Sequence, residues 1–212
     1  MIVKICGLMS PLDAIYSNMA GPDMVGFVFH EGSRRFITKE RASEISSMLG
    51  DITRVGVFVR EDPGFIRDMV DSGLIDMVQI HDASDRSYVR RVVDAAGVPV
   101  IQAFIINGRE DLDLAVSCEA DHIMLDAGMG SGRRIDTEIL QDVPVPYILS
   151  GGLDPSNVLE AVRTLGPAGV DVSSGVETDG AKDPTKMTSF VYAARGNFEP
   201  LLEHHRCDAK GV

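Results

Sequence analysis

The chain has 212 residues and a formal net charge of −12, with 44% hydrophobic and 25% charged residues. At about 100–200 residues per domain that length fits one large domain or two small ones, and the ordinary apolar and charged content excludes wholesale disorder. The acidic excess argues against nucleic acid or an anionic membrane as partner, although a small anionic ligand answers to local donors more than to distant charge. Three widely spaced cysteines (Cys6, Cys118 and Cys207) form no CxxC pair, which fits a reducing cytoplasm and offers neither a disulfide framework nor a zinc site. No apolar run approaches the ~18–20 residues needed to cross a bilayer, and the start MIVKICG lacks the marks of a signal peptide. A soluble, cytoplasmic protein is expected.

Along the chain, short β-branched runs alternate with longer amphipathic stretches. The runs are IVKIC (2–6), MVGFVF (24–29), RVGVFV (54–59), MVQI (77–80), VPVIQAF (98–104), HIMLD (122–126), YILS (147–150) and VDVS (170–173). Most are continuously apolar, as parallel strands covered on both faces are. Ser10-Pro11, Asp62-Pro63, Asp154-Pro155 and Asp183-Pro184 each set a capping side chain before a proline suited to the first helical turn. Gly21, Gly50, Gly73, Gly97 and Gly166 stand where helices should stop. About eight βα units result. An open doubly wound sheet competes with a closed barrel; evenly spaced units filling the chain favour a single eight-stranded parallel β/α barrel over residues 1–196. The polar segment 197–212, ending EHHRCDAKGV, reads as a C-terminal extension.

In such a barrel the active site lies at the C-terminal strand ends. Those ends carry Cys6-Gly7, HEGSRRF (30–36), Gln79-Ile80-His81, Asp126, Ser150-Gly151-Gly152 and Ser173-Ser174-Gly175. The last two units have the clearest signal. Glycine and small residues after strands seven and eight, each leading toward a helix start, let backbone amides approach a phosphate. A plain tight turn is the competing reading for either loop alone. The cluster GMGSG (128–132) is weaker, and its G-x-G-x-G spacing disfavours a dinucleotide site.

Each remaining candidate has a bland reading beside the chemical one. Cys6 ends an apolar strand, where an inert buried thiol is common; as a thiolate it would need its pKa lowered, and Lys4, on the same side of the strand, could supply that field. Asp126 could cap a loop, or, sheltered from water, act as a general acid. Arg34 and Arg35 could be solvated, yet a planar guanidinium suits a carboxylate ligand. His81 beside Asp82 raises the question of a metal, but further ligands are sparse at the strand ends, and no metal is expected.

KICGL (4–8), GFVF followed by SRRF (26–36), VGVFV (55–59), VQIH (78–81), Leu125-Asp126, LSGGLDPSNV (149–158) and GVDVSSGVE with G-x-KD (169–183) occur in order. The chain resembles the phosphoribosylanthranilate isomerase family of tryptophan biosynthesis over about residues 1–195. That resemblance implies an eight-stranded β/α barrel performing a cofactor-independent Amadori rearrangement on a small phosphosugar–anthranilate substrate, as a monomer or homodimer. It makes Cys6 the general base at the sugar C2′ and Asp126 the general acid at the ring oxygen. It gives Arg35 the anthranilate carboxylate, sets His81 and Asp171 in the site lining, and puts Gly151, Gly152, Ser174 and Gly175 in the phosphate loops. Asp82 departs from the family's usual glycine, and the cluster Met129-Gly130-Ser131-Gly132 with Ile135-Asp136-Thr137 departs from its usual loop.

The alternatives are a histidine-pathway sugar isomerase, a metal-dependent pentose-phosphate epimerase and a non-catalytic phosphosugar-binding barrel. The first uses an aspartate where this chain has Cys6. The second lacks ligands here, and the third would lose the acid or the base.

Overall fold

Pairing runs in chain order. β1 (Ile2–Cys6), β2 (Met24–Val28), β3 (Thr53–Phe58), β4 (Met77–Ile80), β5 (Val100–Ile105), β6 (His122–Asp126), β7 (Tyr147–Ser150) and β8 (Gly169–Val172) form a closed barrel. Neighbouring strands are parallel, and the β1–β8 seam sets Lys4 against Asp171 and Ile5 against Val172. The computed structural model describes residues 1–81, 85–126 and 139–196. Asp82, the glycine cluster at 128–132, Ile135, Asp136, Thr137 and the segment 197–212 lie outside them.

Every expected strand is present: β1, β4, β6 and β7 have the expected bounds, and the ends of the other four shift by one or two residues. Helices α1 (Pro11–Ala20), α2 (Lys39–Ser46), α3 (Pro63–Asp71), α4 (Arg86–Ala96), α5 (Arg109–Val116), α6 (Val158–Leu165) and α7 (Pro184–Ala194) follow their strands around the outside. Three of the four expected starts hold: the side chains of Ser10, Asp62 and Asp183 accept amide hydrogens of the first turn, each before a proline. The fourth differs. Asp154 accepts from the Ser156 amide at 2.7 Å, while Asn157 Oδ1 accepts from the Asp154 amide, so the segment turns first and α6 begins only at Val158. Gly21, Gly97 and Gly166 cap α1, α4 and α6 as expected, whereas α2 stops at Ser46 ahead of Gly50 and α3 is capped by Ser72 ahead of Gly73.

Strand alternation sorts the core into two shells. Residues such as Val3, Ile5, Val25, Phe27, Val78, Ile80 and Leu125 face outward and pack with helix residues including Ala14, Ile45, Ile66, Val92, Leu112, Val158 and Phe190. Val55, Met77, Ile101, Ala103, Met124 and Ile148 fill the inside as a separate buried cluster, and Cys6, Val28 and Val57 form a smaller one toward the C-terminal strand ends. Charged and polar side chains continue the inner set: Lys4, Gln79, Asp126, Ser150 and Asp171 are all buried. Among the described residues, no helix is long and apolar enough to cross a membrane.

Candidate active site

A cavity of about 670 Å³ opens at the C-terminal ends of the strands. Cys6, Arg35, His81, Asp126, Gly151, Gly152, Asp171 and Ser174 all line it, so eight of the nine expected site residues meet in one place. Gly175 stands behind the rim. A Cβ there would lie 1.9 Å from the Leu153 carbonyl oxygen, so this glycine lets the loops after β7 and β8 touch.

The floor is electrostatic. Lys4 is 0% exposed and donates from Nζ to Asp171 Oδ1 at 2.7 Å, while Ser150 Oγ donates to Asp171 Oδ2 at 3.2 Å. Burial alone would lower the Lys4 pKa, but the charges of Asp171 and Cys6 outweigh it, and the net direction is up. For Cys6, burial pushes the thiol up; Lys4 pulls it down, Asp171 adds to the rise, Lys182 subtracts, and the balance remains upward. A thiol held above its ordinary value is protonated at neutral pH. The expected Lys4 field is present and insufficient alone. Room for the sulfur comes from the adjoining strand, where a Cβ on Gly26 would lie 2.7 Å from Cys6 Sγ.

Asp126 ends β6 buried, with its Oδ2 3.6 Å from His81 Nε2. Gln79, on β4, lines the same cavity. Its Nε2 is 3.5 Å from the Met124 sulfur, and its Oε1 has no protein partner among the described residues, which leaves a buried acceptor beside the cavity.

Two separate parts of the rim suit anions. After β7, Gly151 and Gly152 take φ of 92° and 66°, a left-handed turn that a side chain would strain. After β8, Ser174–Val176 forms one turn of 3₁₀-helix. Among the described residues, the amides of Gly151, Gly152, Ser174 and Gly175 are not used in turn, loop or cap bonds to backbone carbonyls. The other part is Arg35, whose guanidinium is braced by Glu177: Nε donates to Oε1 at 2.6 Å and Nη2 to Oε2 at 2.9 Å.

A family model described as N-(5'phosphoribosyl)anthranilate (PRA) isomerase matches residues 3–193. The chain belongs to this family. An N-(5'-phosphoribosyl)anthranilate isomerase of Lacticaseibacillus casei is 41% identical over 195 residues, covering 92% of this chain and 94% of that protein. A phosphoribosyl anthranilate isomerase of Thermotoga maritima has a similar solved structure, with TM-score 0.83 and 36% identity over 92% of this chain and 100% of that one. Another solved family member, in complex with reduced 1-(o-carboxyphenylamino)-1-deoxyribulose 5-phosphate, aligns with TM-score 0.80 and 36% identity over the same shares. The eight-stranded barrel expected from the sequence is thus the fold of its relatives.

Sequence reasoning missed Glu177 and Lys182 as partners of the site. They face each other across a small antiparallel hairpin, β9 (Glu177–Thr178) and β10 (Ala181–Lys182), and Lys182 Nζ donates to Glu177 Oε1 at 2.9 Å. A signal was available: Asp179-Gly180 between the two short strands is the dipeptide of a two-residue hairpin turn, and both residues have positive φ, 52° and 82°. Among the described residues, no cluster of three or more histidine, cysteine or acidic side chains is arranged to hold a metal.

Proposed function

We propose that the chain catalyses the cofactor-independent Amadori rearrangement of N-(5-phosphoribosyl)anthranilate to 1-(2-carboxyphenylamino)-1-deoxyribulose 5-phosphate, an isomerisation in tryptophan biosynthesis. The observation that carries this reading is the placement of Cys6 and Asp126 on different strands, β1 and β6, of one cavity that also has two separated anion anchors. The substrate has a phosphate at one end and a benzoate at the other, so anchoring both fixes the ribose between base and acid. The loops bearing Gly151, Gly152, Ser174 and Gly175 take the phosphate through backbone amides, and Arg35 takes the carboxylate.

Asp126 gives a proton to the furanose ring oxygen as the C1′–O bond breaks, and the anilino nitrogen lone pair forms the iminium. Cys6 thiolate then removes the C2′ proton, and those C–H electrons neutralise the iminium to give an enolamine. Tautomerisation to the ketone completes the isomerisation with no net oxidation. Deprotonating Cys6 is the demanding part, because the thiol is held up by burial; Lys4 and Lys182 supply the compensating positive charge. His81 and Asp171 line the ribose region, and Gln79 Oε1 offers an acceptor for a sugar hydroxyl. The same reading assigns the chain to the cytoplasm, as a monomer or homodimer, with a small molecule as its partner and neither nucleic acid nor membrane.

Purified protein should consume fluorescent phosphoribosylanthranilate without added metal. Cys6→Ala and Asp126→Asn should each lower turnover by about 10²-fold or more, the scale of a lost acid or base, while still binding a reduced product analogue. Full activity in either variant overturns the roles. An inactive wild-type protein overturns the reading and favours a phosphosugar-binding barrel.

A further inference from the structure

Glu177 does not line the cavity, yet it organises the cation that does. Its buried carboxylate receives Arg35 Nε at 2.6 Å and Nη2 at 2.9 Å, Arg34 Nη2 at 3.1 Å and Lys182 Nζ at 2.9 Å. Burial would raise the Glu177 pKa, but the hydrogen bonds and charges of Arg35 and Lys182 outweigh it, so the group stays ionised. Its backbone is held as well. Lys186 Nζ donates to the Glu177 carbonyl at 2.7 Å, and Lys182 Nζ also donates to the Ser173 carbonyl at 2.9 Å, tying the hairpin to the loop after β8.

The geometry matters because a guanidinium has five N–H donors arranged around a plane. Glu177 engages the Nε–Nη2 edge, which leaves the Nη1 end of Arg35 with no protein acceptor among the described residues. The Arg35 side chain is 16% exposed, at the cavity wall, whereas Arg34 is 64% exposed. The route is cleared by Gly7, where a Cβ would lie 2.3 Å from Arg35 Cδ. Three cations around one carboxylate also give this part of a net-negative chain a local positive excess.

We propose that Glu177 is a positioning residue that orients the free end of Arg35 toward the cavity, and so sets the preference for a substrate whose aromatic amine carries a carboxylate. This rests on the isomerase reading above and adds the origin of its selectivity. Arg35 bridges two carboxylates: Glu177 permanently on one edge, the substrate transiently on the other end. Without the first, the long side chain samples many rotamers, and the second loses its pre-set partner.

The test compares steady-state kinetics on N-(5-phosphoribosyl)anthranilate and on N-(5-phosphoribosyl)aniline, which lacks the carboxylate, for wild type, Glu177→Gln and Glu177→Asp. Glu177→Gln is expected to raise KM for the anthranilate substrate about tenfold with kcat changed less than about threefold, the scale of one weakened charge-assisted contact. Kinetics on the aniline compound should stay within about twofold, so the preference ratio collapses. Glu177→Asp, which keeps the charge but retracts it, should fall between. A ratio unchanged in Glu177→Gln overturns the assignment, as does an equal loss on both substrates, which marks a merely structural role. Should Glu177→Gln fail to fold, Glu177→Asp decides: a reduced ratio supports the assignment and a full wild-type ratio overturns it. A wild-type protein inactive on both compounds overturns this assignment together with the reading beneath it, whereas an active wild type with unmoved variant ratios overturns only the role of Glu177.

Discussion

Replacing Lys4 by methionine leaves the Asp171 carboxylate inside the barrel without its cation. At 2.7 Å and an effective dielectric of about 20, the gross attraction is ~6 kcal/mol, but taking two ions out of water costs several kcal/mol each. The pair is therefore close to break-even against an apolar filling, while either single truncation is costly. Lys4→Met should lose about 3–5 kcal/mol of unfolding free energy, because Ser150 Oγ at 3.2 Å is a weak substitute for an ammonium. Asp171→Asn, which strands the buried ammonium, should lose a comparable amount. Lys4→Met with Asp171→Asn should lie within about 2 kcal/mol of wild type, giving a favourable coupling of at least about 4 kcal/mol. Urea unfolding followed by circular dichroism measures all four proteins; with a slope of about 2–3 kcal/mol/M, each single variant should shift its midpoint by about 1–2.5 M. Single losses below about 1 kcal/mol, or additivity within about 0.5 kcal/mol, would refute the reasoning and place this pair among solvent-screened contacts.

Three further outcomes are expected. Iodoacetamide alkylation of Cys6, followed by peptide mass spectrometry, should reach its half-maximal rate above the free-thiol value of about 8.5, because burial raises this thiol; a half-point below that value contradicts the assignment. The native chain then holds a proton that the unfolded chain releases, so this group's contribution to stability is lost as pH rises above the unfolded thiol value. Gly26→Ala puts a methyl 2.7 Å from Cys6 Sγ, so turnover should fall at least about tenfold for an overpacking cost of about 1–3 kcal/mol; unchanged turnover would show that the sulfur position is not critical. In Gly175→Ala the new methyl meets the Leu153 carbonyl at 1.9 Å, and backbone cannot yield as a side chain can. The two rim loops should part, and the inhibition constant of inorganic phosphate should rise about tenfold; an unmoved constant would take the phosphate away from these loops.

The strands were legible because a parallel barrel buries both faces of each one, and runs such as MVQI and YILS leave little else to be. Caps were legible where side chain and proline agree, as at Ser10-Pro11, and misled at Asp154-Pro155, where Asn157 accepts from the Asp154 amide and closes a turn ahead of the helix. Cys6, Asp126 and the glycine loops were readable from strand ends once closure was assumed. Partnerships were not. Lys4 and Asp171 are 167 residues apart, and nothing in their local spacing says that the seam sets them level. Glu177 was visible as part of a motif, but its grip on Arg35 depends on a hairpin that turns it back toward a loop 142 residues earlier.

The seam between β1 and β8 also bears on how the chain reaches its structure. β1 is the first barrel strand to emerge during synthesis and β8 the last barrel strand. Until β8 arrives, Lys4 faces an interior with no counter-ion, so a barrel short of its final unit has a standing electrical reason to remain open. Slippage of β8 by one residue would turn Asp171 outward and strand the ammonium. The pair thus works as a closure signal: contacts of long sequence separation form slowly, and this one rewards closure only when β8 is present and in register.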